Sequence, residues 1–379
     1  MRTLWRWIGI ALICAALSFT LPTSSANDIW YEDQIAVITY HHIDDQVQGG
    51  VTISSELFES QLADLKSRGY RFITLKQFEN YFGGGKVPPN AVLVTFDDGY
   101  ESFYTKAYPI LRSLGIPAVN FVITKDLDAP LQSKVPSLSR DQIGSMLAAK
   151  RGMEFGCHSD ALHAKTAGGA PLLTSRLDSG GKSETDEQLR MRILEDTRTC
   201  VRRLRELGSD AGDVYAYPFG YYDGFSVQIL QDAGIRYAFT TRSDMVTRST
   251  QPMEIPRLNA GSPYVRAVSM NNLILRKIAE NLPPEELIPI ATAMRHLGGT
   301  ASLLKNGEIE IEYQNEKYVI LKDRRTVLKG PDSYYLSQPA VLKDKRNYIR
   351  HDDLQRILGI RLTYNKLKES YAISETPSK

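Results

Sequence analysis

Ala91-Val92-Leu93-Val94-Thr95-Phe96-Asp97-Asp98-Gly99 carries an apolar, β-branched run straight into two carboxylates and a glycine. The run reads as a β-strand, and the glycine marks a turn at its end. In a parallel βα architecture the C-terminal ends of the strands form the active face, so Asp97 and Asp98 stand where chemistry is done. The plainer reading is a turn in which Asp98 caps a helix starting near Glu101. Asp44-Asp45 and Asp352-Asp353 fit that plainer reading.

Working outward, residues 35 to 260 repeat short apolar runs, each followed by a longer segment of helical period, the signature of βα units around a parallel sheet or barrel. The strands read as Ile35 to Thr39, Ala91 to Phe96, Ala118 to Ile123, Met153 to Cys157, Val214 to Tyr217 and Tyr237 to Thr240. Leu57, Leu62 and Leu65 form one helical stripe; Leu189, Ile193, Cys200, Val201 and Leu204 form another. Gly69, Gly115 and Gly234 follow such segments, where a helix C-terminus favours a residue tolerant of positive φ. Lys165 to Glu187, rich in Gly, Ser, Thr and Lys and without period, reads as a long surface loop placed to cover a site.

The chain has 379 residues, 42% hydrophobic and 24% charged, enough apolar material for one large domain and a smaller one. A formal net charge of +2 gives no field that would direct it to nucleic acid. Its 20 Tyr supply aromatic faces suited to sugar rings, although Tyr is also an ordinary strand residue. Arg2 and Arg6, the apolar run Trp7 to Phe19 and a small-residue stretch ending at Ala26 lay out a secretory signal over residues 1–26. The mature protein is then expected outside the cell or on its wall, with no membrane span after signal removal. Cys14 would leave with the signal. Cys157 and Cys200 are too few for a disulfide framework, and Cys157 is expected to be a buried packing residue.

Beyond residues 34–260, the segment 261–281 reads as a helical linker, closed by Leu282-Pro283-Pro284-Glu285. A second domain over 282–379 holds a weak repeat, Ile290 to Lys305 against Asp352 to Lys366, each copy a helix, a glycine and a strand. Glu308 to Tyr313 alternates as a half-buried strand.

His158-Ser159-Asp160-Ala161-Leu162-His163 follows another strand end and places two imidazoles five residues apart. On a straight helix that separation turns the side chains about 140° away from one another, so both face one point only if the chain turns between them. Four of the six histidines fall in two pairs, His158/His163 and His41/His42, each at a strand end. A lone histidine is more often a satisfied core or surface residue. This clustering favours a metal or acid-base site, and two imidazoles with one carboxylate suit a catalytic zinc-type centre.

Thr95 to Gly99, then His158-Ser159 with His163, then Tyr217-Pro218-Phe219-Gly220 resemble, in order and spacing, the first three motifs of the polysaccharide deacetylases (NodB homology domain, carbohydrate esterase family 4). The resemblance covers residues 34 to 260 and implies an α/β fold, a distorted (β/α)7-type barrel, with a smaller C-terminal α+β domain appended. It implies Asp98, His158 and His163 as ligands of a divalent metal, zinc first with cobalt, nickel or iron as alternatives. It implies Asp97 as general base and the amide of Phe219, with Tyr217 and Pro218, at the oxyanion and substrate. Two departures stand out. Ala216 occupies the place of an arginine that orients the base, and the usual C-terminal histidine acid is missing. Tyr40-His41-His42 resembles the poly-N-acetylglucosamine deacetylase branch, which implies His41 as the acid, with His42 as the fallback. The C-terminal part resembles a copper-amine-oxidase-N-terminal-like or stalk domain; with only His296 and His351 as imidazoles, no copper site is expected there.

The chemistry suits these residue types. A bound divalent metal lowers the pKa of water from about 15.7 to about 7, Asp97 can take the proton and His41 can return one to the leaving amine. The expected activity is removal of N-acetyl groups from an N-acetylglucosamine polymer. Peptidoglycan deacetylation, O-acetyl ester hydrolysis and non-catalytic glycan or wall binding are the alternatives.

Overall fold

The computed structural model describes residues 29–278, 286–365 and 368–374. The expected signal over 1–26 and the Leu282 to Glu285 linker lie outside them. Seven parallel strands build the first domain: β1 (Ile35–Tyr40), β2 (Ala91–Phe96), β3 (Ala118–Val122), β4 (Met153–Cys157), β5 (Val214–Ala216), β6 (Tyr237–Phe239) and β7 (Leu258–Asn259). Their order across the sheet is β6-β5-β4-β3-β2-β1-β7, with the short strand Arg71–Phe72 also paired to β2. Six of the seven are the expected ones. The sequence reading missed β7, two residues long and entered through Pro256 and Arg257.

Alternation along each strand sends side chains to opposite faces, and both faces are buried. Val92, Val94 and Phe96 of β2 join the outer core, while Ala91 and Leu93 join the inner one with Ile35, Val37, Val119, Phe121 and Ala216. The outer core is covered by α1 (Ser55–Ser67), which contributes Phe58, Leu62 and Leu65. From α2 (Leu75–Phe82), Phe78 and Tyr81 fill the inner core instead. Further outer cover comes from α3 (Tyr108–Leu114), α4 (Arg140–Ala148), the long α5 (Asp186–Glu206) and α6 (Gly224–Asp232). Capping boxes start α2 (Thr74/Gln77), α4 (Ser139/Gln142) and α5 (Thr185/Gln188), satisfying N–H groups that the first turn leaves free. Gly69, Gly115 and Gly234 take the expected positive φ.

The gap between the sheet edges is bridged by one segment: Ile255 pairs with Phe239 of β6, and Leu258 pairs with Ile38 of β1. Arg257 lies in this bridge, and its course nearly closes the sheet into a barrel. The stretch expected as a helical linker is part of the same body. Its helix α7 (Ala267–Leu275) buries Met270 and Ile274 in the outer core, and Tyr70 Oη donates to Asn271 Oδ1 at 2.9 Å. Apolar spacing on a terminal helix looks the same whether it spans a gap or covers a sheet, which is why the sequence did not separate the two.

Residues 286–374 have a separate core around Ile288, Met294, Ile311, Val327 and Leu354. Thr300–Leu303, Ile309–Tyr313, Glu316–Ile320, Thr326–Lys329 and Asp332–Tyr335 form an antiparallel meander. Both repeat copies fold as helix, glycine and strand: Ile290–His296, Gly298 and Thr300–Leu303, then His351–Leu358, Gly359 and Arg361–Asn365. No helix among the described residues is long and apolar enough to cross a membrane.

Candidate active site

The turns after β1, β2, β4 and β5 meet at the C-terminal mouth of the barrel. Three of them carry a non-glycine residue in the left-handed region: Asp98 at φ 72°, Ser159 at φ 86° and Phe219 at φ 57°. Such conformations are costly and cluster where surrounding structure fixes a functional group. Gly220 cannot be replaced without movement, since a Cβ there would lie 2.3 Å from Thr241 Oγ1.

Asp98 Oδ1 sits 3.3 Å from His158 Nε2 and 3.3 Å from His163 Nε2. Donor atoms of these three residues lie within 4.8 Å of one another, a separation that one ion can span. His158 Nδ1 donates to the Ala216 carbonyl at 2.8 Å, which leaves Nε2 with its lone pair toward the cluster. That is how a metal-binding histidine is usually fixed in tautomer and orientation. Burial raises the Asp98 carboxyl, but whenever His158 carries a proton on Nε2 as well, its hydrogen bond and charge, with those of the neighbouring imidazoles, outweigh burial and hold the group well below the carboxylate range. The donor set and its ionisation fit a divalent metal.

Asp97 is adjacent in sequence and differently surrounded. Arg257 grips both its oxygens, Nη1 to Oδ1 and Nη2 to Oδ2, each at 2.7 Å. Every guanidinium nitrogen has a partner: Nε donates to the Thr240 carbonyl at 2.9 Å and Nη1 also reaches Thr39 Oγ1 at 3.2 Å. Burial raises Asp97, and the Arg257 charge overrides it, so the carboxyl is held below its ordinary value. His41 Nε2 lies 3.7 Å from Asp97 Oδ2. The next residue, His42, points to the other face, its Nδ1 2.9 Å from Ser102 Oγ and its Nε2 3.7 Å from Asp44 Oδ2. The chain leaves β1 at Tyr40, the two histidine side chains take different partners, and the fallback residue is not in the cluster.

A family model described as Polysaccharide deacetylase matches residues 84–238. Poly-beta-1,6-N-acetyl-D-glucosamine N-deacetylase of Staphylococcus aureus is 30% identical over 208 residues, 55% of this chain and 67% of that protein. The chain belongs to the polysaccharide deacetylase family. The Staphylococcus epidermidis protein of the same name is 28% identical over the same length. Among solved structures, a de-N-acetylase from Aggregatibacter actinomycetemcomitans superposes with TM-score 0.58 at 22% identity, covering 64% of this chain and 100% of that one. IcaB from Ammonifex degensii gives TM-score 0.53 at 26% identity, over 64% and 97%. The distorted barrel is therefore the fold of this family.

Three of the expectations need correction. Ala216 leaves no gap in the support of Asp97, because Arg257 enters from the closing segment on the far side of the sheet. Nothing local announced it beyond a lone arginine between Pro256 and Leu258. Tyr217 does not face the mouth: alternation along β5 turns it to the outer core, where its hydroxyl donates to the Met253 carbonyl at 2.9 Å. Pro218 is buried beside it, so Phe219 alone presents a side chain, its ring stacked on His163 with centroids 4.2 Å apart. Cys157 is no mere packing residue. It is bonded to Cys200 of α5, on the helix-facing side of β4, opposite to His158.

Proposed function

We propose that this chain is a metal-dependent N-deacetylase acting on a β-1,6-linked N-acetylglucosamine polymer. The observation that carries the reading is the division between two neighbouring carboxylates: Asp98 between two imidazoles, Asp97 between a guanidinium and a third imidazole. Asp98, His158 and His163 would hold the ion, zinc in the first instance, with cobalt, nickel or iron able to use the same donors. When bound, the metal supplies Lewis acidity that polarises the amide carbonyl and makes water nucleophilic near neutral pH.

The remaining steps belong to the chain. Arg257 keeps Asp97 ionised and aimed, and Asp97 takes the proton from the attacking water. The Phe219 amide donates to the developing oxyanion, a role worth about 2.7–4 kcal/mol for one donor. His41 then delivers a proton from Nε2 to the leaving amine as the C–N bond breaks. Acetate and a free glucosamine amine result. A non-catalytic binding role loses its main support, since the base has its arginine and an imidazole stands in place of the missing acid.

The test is release of acetate and amine by the purified protein from β-1,6 N-acetylglucosamine oligomers, compared with peptidoglycan fragments and O-acetylated oligosaccharides. Release from the first, abolished by chelation and restored by zinc, supports the reading. Release from O-acetyl substrates alone overturns it. His41→Ala is expected to keep its metal and lose turnover by about 10²- to 10⁴-fold. His42→Ala should be milder. Near-normal turnover in His41→Ala removes His41 from the role of acid.

The leader expected over residues 1–26 and the proposed polymer substrate both support a location outside the cell or at its wall. Residues 286–374, which expose Tyr335 and Leu342, are assigned a structural or wall-contacting role.

A further inference from the structure

The ligand spacing poses a geometric problem that α5 answers. His158 and His163 can share an ion only because the chain reverses between them, and that turn is held from behind. Asp196 Oδ1 accepts the Asp160 N–H at 3.0 Å and Oδ2 accepts the Ala161 N–H at 2.6 Å, with the Leu162 N–H also directed at the carboxylate. Cys200 and Arg203 follow at four and seven residues, on the same stripe of α5. Cys200 is bonded to Cys157, the residue before His158. Arg203 Nε pairs with Asp160 Oδ1 at 3.2 Å, and Thr124 Oγ1 donates to the same oxygen at 2.7 Å. Both cysteines are fully buried, so the disulfide is a fixed staple. Asp196 is the part of the clamp whose side chain accepts from the backbone N–H groups of the turn.

We infer that Asp196 is a positioning residue for the metal pair: its carboxylate holds the 160–162 turn that brings His163 round to the ion His158 faces. A half-buried carboxylate such as Asp196 is costly to desolvate unless its hydrogen bonds do what an apolar side chain cannot. Here they satisfy successive backbone donors that no regular element pairs, directly after Ser159 at φ 86°. The role rests on the metal reading above and adds to it a residue that touches neither ion nor substrate.

Zinc affinity, measured by competition with a chromophoric chelator, tests the inference on the full chain, wild type against Asp196→Asn and Asp196→Ala. Asparagine keeps the shape and one acceptor but sets an NH2 group against the second backbone donor. It is expected to weaken zinc binding by about 10- to 100-fold, the usual effect of a group that orients a metal ligand. The visible spectrum of the cobalt-loaded variant should shift as the His163 geometry relaxes. If alanine prevents folding, the isosteric asparagine still decides. Zinc affinity within twofold of wild type and an unchanged cobalt spectrum in Asp196→Asn overturn the inference, whatever happens to thermal stability. Failure of the wild type itself to bind zinc overturns the metal reading instead.

Discussion

Asp98→Ala is expected to yield a folded protein that holds no zinc and releases no amine. Asp98 Oδ1 faces the Nε2 atoms of both imidazoles, at 3.3 Å from each, so its removal takes the carboxylate from the three-residue cluster. Two neutral imidazoles alone are a poor site for a divalent ion in competition with water. The fold should survive because Asp98 lies in a turn at the mouth, outside both cores. Alanine at φ 72° is itself strained by roughly 1–2 kcal/mol, so Asp98→Asn, which tolerates that conformation, serves as the control and should lose metal as well. His158→Ala and His163→Ala should behave alike. Metal content by elemental analysis, with circular dichroism for the fold, checks this; full zinc occupancy in Asp98→Ala excludes it as a ligand.

Arg257→Met should reduce both stability and turnover, the first by about 3–5 kcal/mol. Arg257 and Asp97 are 1% and 4% exposed, so the charge left behind is desolvated and unpaired, the situation in which breaking a buried pair is most damaging. Thr39 and the Thr240 carbonyl lose a donor in the same step. Lysine does not rescue it, because one ammonium cannot grip two carboxylate oxygens side by side. The pair also predicts a pH dependence. Asp97 is held below its ordinary value, so its contribution to stability is complete above the unfolded value near pH 4 and is lost as pH falls through the lower folded value. Arg257→Met should therefore flatten the acid side of the stability curve. Denaturant titration at several pH values measures both effects, and a loss under 1 kcal/mol would contradict the account of the pair.

What the sequence revealed follows from what is local. Ala91 to Phe96 announces a strand because a parallel strand covered on both faces needs an unbroken apolar run, and Asp97-Asp98-Gly99 announces its functional end. His158 and His163 were legible as a pair, and His41 and His42 as a second pair at a strand end. β7 has no run to read, being two residues after Pro256 and Arg257. Arg257 was hidden because its partner is 160 residues away and nothing short of the closing barrel brings them together. Cys200 did lie on the stripe of α5 expected to face the sheet, and Cys157 at the end of a strand, so the disulfide left a faint signal that periodicity alone could not convert into a bond. Tyr217 misled for a different reason: membership of a motif says which turn is built, and strand alternation decides which of its side chains reaches the mouth.

The central claim is that two adjacent carboxylates do different work, Asp98 holding the ion and Asp97 moving the proton. Asp97→Asn tests it most directly, with zinc content and amine release from β-1,6 N-acetylglucosamine oligomers measured on the same preparation. The account predicts full zinc and turnover reduced by about 10²- to 10⁴-fold. Loss of zinc as complete as in Asp98→Ala, or turnover within a few-fold of wild type, would contradict it.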